Sequence, residues 1–228
     1  MPRAIALTPR QRLIVFIIIA FIFDYLPLIN LPFLWSETFF HEISHGLAAI
    51  VTGGLIHNIT LNFNGSGEIA TSGGIRFLVS FSGYAGSALW GLLIYSIASA
   101  LSQRQAKIMS SMMVAMLGIT LLLWARNLST IVILVVLVMM YALPLFKSLW
   151  FSVTFFIQLV GVFVMLDAIR SPLYLLDGRD LGDGATLAGS SGLPEFFWVA
   201  LWFAFAAGCL MLLWKISAKE KGNYSAHP

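Results

Sequence analysis

A succession of long apolar stretches constrains this chain more than any other feature. They lie near residues 13–30, 35–53, 76–101, 107–125, 128–146, 149–169 and 195–215. A helix needs about 20 mostly apolar residues to cross roughly 30 Å of hydrocarbon. Leu128–Met140 is interrupted only by Ser129 and Thr130, and Trp150–Leu166 carries no charge. Charged residues make up 10% of the chain, against about 25% in a soluble domain, too few to cover a water-facing surface. The expected fold is therefore an all-α membrane protein, a polytopic bundle of about 6–7 transmembrane helices forming one domain over residues 1–228, with the lipid bilayer as its surroundings. A disulfide scaffold is excluded because Cys209 is the only cysteine. The basic residues are scattered over short loops and tails, so no nucleic-acid partner is expected.

The first stretch is the least regular. Arg3, Arg10 and Arg12 precede the apolar run Leu13–Phe23 as in a signal peptide, but no small-x-small cleavage site follows, which predicts an uncleaved span. Asp24, Pro27 and Pro32 then interrupt the pattern. Lysines and arginines sort onto one side most clearly if an element between residues 24 and 75 enters and leaves by the same face, with both termini cytoplasmic.

Two segments do not read as membrane helices. In residues 54–75, Leu55, His57, Ile59, Leu61 and Phe63 alternate with polar neighbours, the period of a strand. Asn64-Gly65 is a two-residue turn signal, so a small β-hairpin is expected between two membrane helices. Residues 170–194 are glycine-rich and contain Asp177, Asp180 and Asp183. Irregular backbone of this kind is tolerated beside apolar spans only where protein or a water-filled cavity shields it.

The chemistry concentrates in TFFHEISHGLAA, within a metal-binding helix expected over residues 35–53. His41 and His45, four apart on one helical face, can reach a single metal ion, and Glu42 beside the first can serve as general base toward an activated water. Ionisable groups near the centre of a membrane helix carry an insertion penalty of about 2.5–3.5 kcal/mol each, which a divalent cation would offset. A metal-free polar cluster in a bundle interior, or an ion relay in a small transporter, would also accommodate these residues. Zinc normally takes a third protein ligand, and His57, Asp24, Asp167, Asp177, Asp180 and Asp183 are the candidates. Local hydrogen bonding is the expected role of His57, His227 lies in a polar tail, and Asp167 and Arg170 are spaced as a helix-end ion pair.

HEISHGLAA, the hairpin, GYAGSALWG and the distant aspartate loop together resemble the site-2 protease family of intramembrane zinc metalloproteases, in particular its compact bacterial branch without a PDZ domain. The likeness spans roughly residues 36–202. It implies a multi-pass protein of the bacterial cytoplasmic membrane that binds Zn2+ and cleaves membrane-embedded or membrane-proximal polypeptides. His41 and His45 would bind zinc and Glu42 would activate water. GDGATLAG followed by GLPEFFWVALW resembles the aspartate block of the compact branch and favours Asp183 as third ligand, although Gly184 stands where alanine is usual. Leu176-Asp177-Gly178 resembles the motif of other members and makes Asp177 the alternative.

An unwound substrate needs partners for its amides. The hairpin edge could supply them, with Asn62, Asn64, Gly65 and Gly67 as expected substrate-binding residues. Asn62, Asn64 and Ser82 are candidate donors to a developing oxyanion. A catalytically silent relative that binds transmembrane helices, or a small metal transporter, is the competing reading. Oligomeric state is not legible.

Overall fold

A computed structural model describes residues 7–146, 152–179 and 181–219. Its elements are α1 (Pro9–Asp24), α2 (Pro27–Val51), β1 (Leu55–Leu61), β2 (Gly67–Ser72), α3 (Arg76–Ala100), α4 (Gln103–Trp124), α5 (Leu128–Phe146), α6 (Val153–Arg170), α7 (Asp183–Ser191) and α8 (Glu195–Lys219). Five described helices are long and apolar enough to cross a membrane, and α1 with α2 forms a further candidate span bent by 114°. The protein is thus a helical membrane bundle with five to six candidate spans, and a two-stranded antiparallel sheet follows α2.

The bend replaces the two separate early segments read from sequence. Helix α1 ends at Asp24, and Pro27 begins α2, which then runs unbroken through Pro32 to Val51. A proline lacks the amide needed to continue a preceding helix, but its fixed φ suits a first turn. Residues 27–34 therefore belong to the helix that carries His41 and His45.

Helix α6 is the centre of the bundle, with Ile157, Val160, Val164 and Met165 fully buried. It packs closely on α3 through glycines on both sides. A Cβ at Gly91 would stand 2.6 Å from the Met165 backbone nitrogen, and one at Gly161 would stand 2.7 Å from that of Tyr95. Small residues permit such backbone approach between membrane helices, where packing rather than hydrophobicity drives association. The same spacing continues to α2, because Gly83 faces His41 and His45 and Gly86 faces Ser44.

Alternation in β1 holds where the strand meets the bundle: Ile59 and Leu61 are buried, while Leu55 and Phe63 are exposed. A bulge between Ile56 and Asn58 takes His57 out of strict register. The turn is one residue longer than the Asn64-Gly65 signal suggests. Asn62 N–H donates to the Ser66 carbonyl at 2.9 Å, and Gly65 adopts φ +86°, leaving a three-residue loop. Leu61 N–H donates to Thr130 Oγ1 at 2.8 Å and Ser129 Oγ donates to the Leu61 carbonyl at 2.9 Å. These bonds tie the hairpin to the start of α5.

The expected aspartate loop is more ordered than its glycines imply. Ser171–Asp177 forms a 3-10 turn, and Asp183 opens the short helix α7. Positive φ at Gly182 and Gly192, where side chains are disfavoured, brackets that helix.

Candidate metal centre

Three donor atoms from two distant parts of the chain meet between α2, α3 and α7. His41 Nε2 and His45 Nε2 are 3.1 Å apart. Asp183 Oδ2 lies 3.2 Å from His41 Nε2 and 3.1 Å from His45 Nε2. Local sequence explains the histidines: Phe39, Phe40 and Ile43 bury in the core, which turns positions 41 and 45, one turn apart, toward a different, common face. Tertiary structure supplies the carboxylate, which sits in the first turn of α7, where the helix dipole favours negative charge.

Second contacts fix the rings. The Val79 carbonyl can only accept, so His45 Nδ1, 2.6 Å away, donates to it and a neutral His45 keeps its lone pair on Nε2. His41 packs edge-on against Tyr84 with centroids 4.5 Å apart, and Tyr84 packs on Trp202 at 4.8 Å. Trp202 Nε1 donates to the Phe81 carbonyl at 3.1 Å, which anchors this aromatic wall. Gly83 leaves room for both imidazoles, since a Cβ there would fall 2.5 Å from His45 Nε2 and 2.6 Å from His41 Cε1.

The donor set fits a divalent cation. Two lone pairs and a carboxylate oxygen converge with no intervening donor once the rings are neutral. Ligand atoms of a tetrahedral zinc at about 2.0–2.1 Å stand roughly 3.3–3.4 Å from one another, close to the separations seen. Without a cation, the imidazoles themselves must partner the carboxylate. Burial raises the affinity of Asp183 for a proton, yet the charge of His45 and hydrogen bonds from both rings outweigh it and hold its carboxyl well below the usual range. Among the described residues, His41, His45 and Asp183 are the one group of His, Cys, Asp and Glu spaced to share an ion.

The other candidates stand elsewhere. Asp177 accepts from Arg179 N–H at 2.9 Å and from its Nε at 2.6 Å, an exposed local pair. Asp180 and His227 lie outside the described residues. His57 shares a hydrogen bond with Ser72 at 2.7 Å. Arg170 does not pair with Asp167 as their spacing suggested. It turns to Asp24, while Asp167 accepts from the Ser171 hydroxyl. The approach of α1 to the end of α6 supplies a partner that sequence spacing cannot reveal.

Glu42 is buried beside His41 and lines two adjoining cavities of about 750 and 350 Å3, which share His41, Glu42, Gly67 and Tyr84. Asn64, Gly65 and Gly67 line the larger one. Asn62 is not among its lining residues, and its amide donates to Ser66 Oγ at 2.9 Å. Ser82 Oγ donates to the Val79 carbonyl at 2.6 Å and to the Ser44 carbonyl at 3.1 Å, so its proton is already engaged. Gly184, the departure from alanine, has a local cause: a Cβ there would stand 2.7 Å from Glu195 Cγ. Sequence reasoning missed Tyr84, for which no periodic signal exists, and Glu37. The latter was findable, because it lies one turn before His41 on the same helical face.

Neither a search of curated proteins nor one of solved structures gives a match. A family model described as Peptidase M50B-like matches residues 13–213. The chain belongs to this family, the site-2 protease group of membrane metalloproteases.

Proposed function

We propose that the protein is a zinc-dependent intramembrane endopeptidase acting on membrane-embedded or membrane-proximal polypeptides, with residues 1–228 working as one peptidase unit. The convergence of His41, His45 and Asp183 beside Glu42, at a polar cavity lined by α2, the hairpin turn and the end of α6, carries this reading. His41, His45 and Asp183 would hold the zinc. When bound, zinc supplies a Lewis acid for the peptide carbonyl and lowers the pKa of water toward about 7.

Glu42 accepts the proton of the attacking water and returns it to the amine as the C–N bond breaks. Its burial and its position next to His41 suit that transfer. Val79 keeps the His45 proton on Nδ1, away from the metal side. The free edge of β2 near Gly67, together with Asn64 and Gly65, would receive the unwound substrate backbone, pairing amides that have no water to meet. A side chain at position 67 would obstruct this approach, since its Cβ would lie 2.8 Å from Glu42 Oε1.

Glu42→Gln in the purified, zinc-loaded protein tests the assignment. Hydrolysis of a model transmembrane peptide should fall by at least about 10²-fold, the usual lower bound for losing a general base, with zinc content unchanged. Full activity in that variant would refute the peptidase reading, and zinc flux into liposomes without cleavage would replace it with a transporter.

A further inference from the structure

The larger cavity has an acidic wall that the proposed hydrolysis does not use. Besides Glu42, its lining carboxyl groups belong to Asp24, Glu37 and Asp167, and Arg170 is its one lysine or arginine. Arg170 is already engaged by Asp24, and Asp167 accepts from Ser171. Glu37 differs from both. It is only 4% exposed, and its carboxyl has neither a hydrogen bond nor an ion pair with a described residue, yet it borders the cavity.

A carboxyl removed from bulk water in this way ionises only where a cation or a hydrogen-bond donor meets it. The cavity volume of about 750 Å3 accommodates a long side chain with its backbone. An inorganic ion is disfavoured, because Glu37, Asp24 and Asp167 are not spaced as a metal-binding group. Glu37 lies four positions before His41 on α2, and one helical turn is about 5.4 Å. Extended chain advances roughly 3.3–3.6 Å per residue, so a side chain reaching Glu37 belongs to a residue one or two places from the bond at the metal centre. The hairpin turn, through Asn64 and Gly65, forms the facing wall along which that chain would run.

We infer that Glu37 is the specificity-determining residue of a subsite for a basic side chain, so that the polypeptides taken by this site carry lysine or arginine within two residues of the scissile bond. The inference rests on the peptidase reading for its position relative to cleavage, but not for the binding itself.

Two apolar peptides of about 25 residues, long enough to span a bilayer, serve as probes in detergent micelles. They differ only in a central lysine against norleucine. Binding is measured on zinc-loaded Glu42→Gln protein, and cleavage products are mapped by mass spectrometry with the unmodified protein. The lysine peptide should bind at least about tenfold more tightly, as expected for a buried carboxyl gaining a directly paired cation, and should be cut within two residues of the lysine. Adding Glu37→Gln, which is nearly isosteric, should bring the affinity ratio close to one. Equal affinities, or no binding of either peptide, overturn the subsite. Lysine-dependent binding without cleavage refutes the peptidase reading and leaves the subsite standing, whereas cleavage indifferent to lysine does the reverse.

Discussion

Asp183 Oδ2 lies 3.1 Å from His45 Nε2, although one opens α7 and the other sits near the end of α2. Nothing between them in the chain is needed to chelate an ion. The intervening helices α3 to α6 act as a frame, and α3 in particular separates and aligns the two ends through Val79, Gly83 and Tyr84.

That relationship makes the third ligand testable. Asp183→Ala should lower zinc affinity by more than about 100-fold, exceeding the usual loss on removing a mere supporting residue. Asp177→Ala should leave it unchanged, because Asp177 is committed to Arg179. Zinc content after dialysis against a chelator series reads both; the opposite pattern would move the site to Asp177.

Gly83→Ala should empty the centre without touching a ligand. Its new Cβ would fall 2.5 Å from His45 Nε2, so the rings or the α3 backbone must shift. Overpacking of this kind destabilises by about 1–3 kcal/mol, and the lost alignment should remove most bound zinc. Retention of zinc at the unmodified level would show that α3 does not set the ring positions.

Zinc affinity should fall with falling pH. Metal binding needs neutral imidazoles and an ionised carboxylate, so each proton that must be displaced weakens apparent affinity by about tenfold per pH unit once that group is protonated. Asp183, already held well below the usual carboxylate range, should stay ionised over the pH range titrated and contribute nothing to the decline. Titration with a competing chelator between pH 5 and pH 8 checks the slope, and a flat profile would contradict imidazole ligation.

Thr130→Val should loosen the hairpin while sparing the metal. It leaves the Leu61 amide without its acceptor, and a buried donor stranded in this way is worth about 1–3 kcal/mol. Hydrogen exchange at Leu61 and neighbouring β1 amides should accelerate, with zinc content constant. Unchanged protection would mean that the Thr130 bond is dispensable and that the remaining contacts, including Ser129 with the Leu61 carbonyl, hold the hairpin.

Much of this protein was written into local sequence. Charge-free runs such as Leu128–Met140 dictate membrane helices because lipid leaves backbone amides no other partner. The i, i+4 spacing of His41 and His45 dictates a shared face, and the alternation around Ile59 and Leu61 dictates a strand. These features depend on periods of two to four residues, which one segment fixes by itself.

Packing decided the rest. Two pairings came only from the assembled bundle, Asp24 rather than Asp167 beside Arg170 and Glu37 left facing a cavity, while Asp183, which motif resemblance favoured over Asp177, reaches the rings only through that packing. Each depends on which helices approach closely enough to exchange partners. Such approach is set by small residues like Gly83, Gly91 and Gly161, whose effect appears only when a second backbone lies against them. A spacing pattern can say which side chains share a face, but the long-range Coulomb and steric terms that choose among equivalent carboxylates do not exist until the faces meet.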